Sequence, residues 1–182
     1  MTVAALPRVG VSACLLGERV RWDGDHRLQP FAAGEAARVE WVPVCPEVGI
    51  GLGVPREPIQ LVRLEGGMRL FGVVSKRDLT ETMRHWADAK VRSLTDLDGF
   101  VLKHRSPSCG VSGARVAASL DDLREDGPYT RSGQGLFAET LRNLRPELAI
   151  AEETDLEGPD GRREFFDRVQ AAFRRRTGSE TP

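Results

Sequence analysis

Three short apolar runs in this chain are each followed by a cysteine that stands just before a Gly, Pro or turn. They are Val-Ser-Ala-Cys14-Leu-Leu-Gly, Pro-Val-Cys45-Pro-Glu, and Gly99–Lys103 leading into Ser-Pro-Ser-Cys109-Gly. An apolar run closed by Gly or Pro is the mark of a buried β-strand giving way to a loop or a helix start. In an open α/β sheet, the carboxyl ends of neighbouring strands line one crevice, and ligands bind there. The pattern therefore predicts that three thiols reach one pocket from three strand ends. Three thiolates with a fourth position open suit a metal centre that does chemistry more than one that only holds a fold.

The rest of the chain supports an α/β fold. Arg8–Leu15, Glu40–Val44, Gly99–Lys103 and Glu147–Ala151 read as strands, and Ile59–Leu64 with Met68–Val73 reads as a hairpin around Glu65-Gly66-Gly67. Asp78–Leu97 is the clearest amphipathic helix, with Leu79, Met83, Trp86, Ala87, Val91 and Leu94 near one face. Leu28–Val39, Gly133–Leu144 and Arg162–Arg176 are further helices, the last with Phe165, Phe166, Val169 and Phe173 as its apolar face. Gly49–Pro58 is too rich in Gly and Pro for regular structure. Val111–Tyr129 carries no clear period. Strands alternating with helices predict a single domain over residues 1–176. It is a mostly parallel, Rossmann-like sheet flanked by helices, with the site at the carboxyl ends of the strands. Residues 177–182 are expected to be a frayed tail.

Composition narrows the function. With 182 residues the chain is long enough to bury a proper core. A net charge of −1 gives no ground for nucleic acid or a membrane surface. Met1–Pro7 lacks the charged start and apolar stretch of an export signal, and no run is long enough to span a bilayer. An odd number of cysteines argues against a disulfide framework, so the cytoplasm is the expected setting. The cysteine spacings are wide and contain no Cys-x-x-Cys, which removes zinc ribbons and thioredoxin motifs. Three buried structural cysteines remain the plain alternative. Against it stand Pro46, Glu47, Pro107, Ser108 and Gly110, which shape tight loops whose amides can donate to sulfur or to an anion.

These motifs in this order, together with Arg21-Trp22-Asp23-Gly24 and Leu102-Lys103-His104-Arg105-Ser106, resemble the thiouracil desulfidase family, also known as domain of unknown function 523. The likeness runs from about Arg8 to about Ala151. It implies an enzyme that releases sulfide from a thiolated uracil without net redox change. It implies a 4Fe–4S cluster held by Cys14, Cys45 and Cys109, with the fourth iron free to take the substrate's sulfur. The family's acidic residue falls on Glu47 and its serine on Ser106, which become the catalytic candidates. Ser108, Arg21 and Lys103 become the substrate-binding candidates, and Arg56 and Arg105 are further basic residues beside the motifs. The expected partner is a small thiopyrimidine or its nucleotide, with the oligomeric state open. Two other readings stay open: a sulfur carrier serving tRNA thiolation, and a structural zinc module. The latter lacks an evident fourth ligand. His26, His85 and His104 are not expected on a metal, and Gly49–Gly53 lacks the spacing of a dinucleotide fingerprint.

Overall fold

The fold was analysed in a computed structural model that describes residues 5–178. Its centre is a four-stranded, fully parallel sheet. The strands are β1 (Arg8–Ser12), β2 (Glu40–Val44), β5 (Gly99–Leu102) and β8 (Ala149–Glu152), in the order β2-β1-β5-β8. β1 and β5 are buried on both faces, as expected of inner strands in a parallel sheet. The period of two sorts their side chains into two cores. Val9, Val11 and Val101 face one side, where helices α1 (Pro30–Gly34) and α5 (Pro159–Thr177) bring Phe31, Phe165 and Val169. Phe100 and Leu102 face the other, against α3 (Thr80–Ser93) and α4 (Leu136–Leu144), which bring Ala87, Val91, Phe137 and Leu141. A Cβ on Gly99 would lie 2.6 Å from Val169 Cγ2, so the absent side chain lets α5 rest directly on β5.

A second sheet is a finding the sequence did not announce. The hairpin of β3 (Ile59–Leu64) and β4 (Gly67–Gly72) forms as expected, with Leu64 paired to Gly67 across a Glu65-Gly66 turn. It does not join the parallel sheet. β3 instead pairs in parallel with β6 (Ala114–Ala117), and β6 pairs antiparallel with β7 (Thr130–Gly133), giving the order β4-β3-β6-β7. Leu61, Leu70 and Val116 pack on Met83 of α3 and Leu136 of α4, so the same two helices serve both sheets.

Several expected boundaries move for local reasons. β1 ends at Ser12, and Cys14 lies in a single 3-10 turn, Ala13–Leu16, closed by Gly17 at φ 92°. The helix expected over Leu28–Val39 shrinks to Pro30–Gly34, because Pro30 holds Gln29 extended at ψ 137°. Gly133 ends β7, and the helix after it begins at Leu136. A short helix, α2 (Pro46–Gly49), starts directly after Cys45. Thr177 closes α5, and residues 179–182 of the expected tail lie outside the described residues. No described helix is long and apolar enough to cross a membrane.

Candidate metal and substrate site

The strand order explains why residues far apart in sequence meet. β1 lies between β2 and β5, so the carboxyl ends of the three strands are adjacent. Cys14 follows β1, Cys45 follows β2, and Cys109 lies on the loop after β5. All three line one cavity of about 220 Å³, together with Glu47, Arg56, Lys103, Ser106 and Ser108. This is the convergence expected at the carboxyl edge of a parallel sheet.

All three thiols are free. Burial pushes Cys14 up to about 11, and the neighbouring Cys45 adds to the rise while Lys103 and Arg21 oppose it. Burial likewise raises Cys45 and, most strongly, Cys109. Thiols so placed keep their protons unless a cationic centre takes the sulfurs as ligands. Among the described residues, no group of three His, Cys, Asp or Glu side chains is placed to hold a single metal ion. A closed structural zinc site needs four ligands at about 2.0–2.3 Å from one centre, so the zinc-module reading loses its footing. A soft, all-sulfur donor set lining one cavity fits an iron–sulfur group by its chemistry.

The Cys109 loop is built by hydrogen bonds that leave little freedom. Ser106 Oγ accepts from the amides of Cys109 at 3.0 Å and Ser108 at 3.3 Å, and the Gly110 amide closes the turn onto the Ser106 carbonyl at 2.8 Å. The carbonyl of Ser108 accepts from the Phe137 amide at 2.9 Å, and that of Pro107 from Leu136 at 3.3 Å. The loop thus caps the first amides of α4, which has no side-chain cap of its own. A Cβ on Gly135 would sit 2.4 Å from the Ser108 carbonyl, so only glycine permits this approach.

Glu47 stands on α2, two residues beyond Cys45. Its Oε2 accepts from Arg56 Nε at 2.9 Å and Nη2 at 2.7 Å. Its Oε1 accepts from the Ser108 hydroxyl at 2.8 Å. With Ser108 donating to Glu47, the 3.0 Å contact between the two hydroxyls runs from Ser106 to Ser108. Arg56, a basic residue beside the motifs, makes its remaining bonds to the Gly53 and Val20 carbonyls, each at 2.8 Å.

Lys103 and Arg21 both line the cavity, but each is already paired. Lys103 Nζ meets Glu153 and the His104 carbonyl, and Arg21 Nε lies 3.3 Å from Asp23 Oδ1. Asp23 also accepts from the Asp25 amide at 3.1 Å, the turn role its Asp-Gly context suggests. His104 also lines the cavity and turns its Nδ1 to Glu152. A wider space of about 790 Å³ adjoins the cavity, shares Arg21, Lys103 and Arg105 with it, and adds Arg27, Arg115 and Arg131.

Sequence reasoning missed the carboxylate pair Glu152 and Glu153. Both are buried, at the end of β8 and the start of the turn after it. Glu152 Oε1 accepts from the Val111 amide at 2.7 Å, and Glu153 Oε2 accepts from the His104 amide at 2.6 Å. Together they hold both ends of the loop that carries Cys109. The available signal was two acidic residues directly after an apolar strand.

The family model for 2-thiouracil desulfurase matches residues 9–153, a span that includes all three cysteines and ends at Glu153. The uncharacterized protein YbbK of Bacillus subtilis (strain 168) is 30% identical over 107 residues, covering 55% of this chain and 71% of its own. A solved structure of the [4Fe-4S]-dependent thiouracil desulfidase TudS superposes with a TM-score of 0.63 at 29% identity. It covers 82% of this chain and 93% of its own. The family model spans most of the chain and the fold superposes on that solved desulfidase, and the chain belongs to the 2-thiouracil desulfurase family.

Proposed function

We propose that this protein removes sulfur from a thiolated uracil by hydrolytic, non-redox cleavage of the C–S bond. In this reading Cys14, Cys45 and Cys109 hold a 4Fe–4S cluster through three irons. The observation that carries it is the meeting of three free cysteines and Glu47 around one cavity in a chain of this family. When bound, such a cluster supplies an open iron as a soft Lewis acid for the thiocarbonyl sulfur.

The chain's own residues supply the rest. Water adds to the thiocarbonyl carbon and gives a proton to Glu47 Oε1, the oxygen that faces Ser108. The C–S electron pair leaves with sulfur, the oxygen stays on carbon, and the products are uracil and hydrogen sulfide, with no change in electron count. Ser106 and Ser108 form a hydroxyl chain ending at Glu47, which steadies the attacking water or the polar edge of the pyrimidine. Lys103 and Arg21 form the basic rim of the cavity. The arginine-lined space outside has room for a ribose phosphate carried by the base.

The test is anaerobic reconstitution with iron and sulfide, followed by sulfide release from 2-thiouracil and 4-thiouracil. About four irons and four sulfides per chain with catalytic release supports the reading. Protein loaded with the cluster that releases nothing from either base, or from the corresponding nucleotides, overturns it.

A further inference from the structure

We propose that Arg56 is the positioning residue that fixes the Glu47 carboxylate in its working orientation. This rests on the desulfidase reading, in which Glu47 takes the proton from water.

A glutamate has three side-chain torsions and a freely turning carboxylate, so proximity to the cavity does not by itself aim it. Here two of those freedoms are removed by one neighbour. Arg56 Nε and Nη2 both reach Oε2, at 2.9 and 2.7 Å. That oxygen is fully engaged, and Oε1 is the one left for Ser108 and the cavity. The guanidinium is itself immobile. Nη1 donates to the Gly53 carbonyl and Nη2 to the Val20 carbonyl, and the Arg56 amide donates to the Trp22 carbonyl at 2.9 Å. Its side chain is 5% exposed and that of Glu47 is 15% exposed, so water competes weakly for the pair.

The contact also ties together the segments that carry the cysteines. Val20 and Trp22 follow the Cys14 turn, Glu47 follows Cys45, and Ser108 precedes Cys109. Arg56 touches the first two directly and the third through Glu47. The rigid, planar fork of an arginine does this; a lysine, with one point charge on a flexible stem, does not.

The experiment is a double-mutant cycle with a structure beside it. Arg56→Ala is expected to lower kcat about a hundredfold with KM little changed, the cost of a misplaced catalytic group. In a Glu47→Gln background the same change is expected to add almost nothing, because Arg56 acts only through Glu47. Iron content stays at the wild-type level in both. A crystal structure of Arg56→Ala is expected to show the Glu47 carboxylate turned away from Ser108. Arg56→Lys, which keeps the charge, replaces alanine if that variant does not fold.

Losses that multiply in the double variant, or a Glu47 carboxylate that keeps its place without Arg56, overturn the proposal. Wild-type protein that releases no sulfide overturns the desulfidase reading instead, and the crystallographic result then still decides whether Arg56 orients Glu47.

Discussion

Glu152 Oε2 lies 2.6 Å from Nδ1 of His104, at the carboxyl edge of the parallel sheet. The other oxygen of the same carboxylate accepts from the Val111 amide at 2.7 Å. One buried side chain on β8 therefore grips the loop on both sides of Cys109. Leaving those donors without a partner costs on the order of 1–3 kcal/mol each when buried. Glu152→Ala is expected to lower unfolding free energy by about 2–4 kcal/mol in a urea titration. It should also increase amide exchange across residues 104–111. Unchanged exchange there would mean the loop is held mainly by its contacts with α4.

Each cysteine is expected to be necessary for the metal and dispensable for the fold. Cys14→Ala, Cys45→Ala and Cys109→Ala exchange a small apolar thiol for a methyl group, a change of roughly 1 kcal/mol. Iron and acid-labile sulfide after anaerobic reconstitution should fall sharply in all three while far-UV circular dichroism stays the same. A variant that retains the wild-type iron and sulfide would remove its cysteine from the ligand set.

Glu47→Gln keeps the shape and removes the proton acceptor. The chain around it should hold, because Arg56 also binds Gly53 and Val20. Sulfide release is expected to fall by about 10²–10⁴, the range for a lost general base. Iron content and the visible spectrum should match the wild type. Full activity in this variant would place the proton acceptor elsewhere, with Ser106 next in line.

What the sequence made legible follows from how each feature is encoded. The cysteine convergence could be read because each Cys lies on the turn or loop that follows an apolar run of the kind a buried strand must have, and parallel order then brings strand ends together. The second sheet could not be read. β6 is Ala-Arg-Val-Ala and β7 is Thr-Arg-Ser-Gly, and neither has the alternation of a half-buried strand. They pair because β3 offers a free edge, a tertiary cause invisible in a local window. The same holds for Arg56. Its loop has no period, and only the folded path of Gly49–Pro58 returns it to Glu47. The Leu28–Val39 segment misled for a local reason: its alanines favour helix, but Pro30 and Gly34 confine it to little more than one turn.

Asp78 gives the fold an acid-sensitive joint away from the cysteines. Its Oδ1 accepts from the Thr80 amide at 2.9 Å at the start of α3, and Oδ2 pairs with Arg69 of β4 at 2.6 Å. Burial pushes its carboxyl up, but the Thr80 and Arg69 contacts outweigh that and hold it below the usual carboxylate range. A folded pKa below the unfolded one means the unfolded state binds the extra proton. The contribution is therefore fully present above the unfolded value, about 4, and is lost as pH falls through the lower folded value. Asp78→Asn removes this term, so its deficit relative to wild type should be greatest near neutral pH and shrink below about pH 4. Denaturant unfolding of both proteins across that range checks it. A deficit that stays constant with pH would show that the carboxylate charge is not what the variant loses, since an asparagine can still accept from the Thr80 amide.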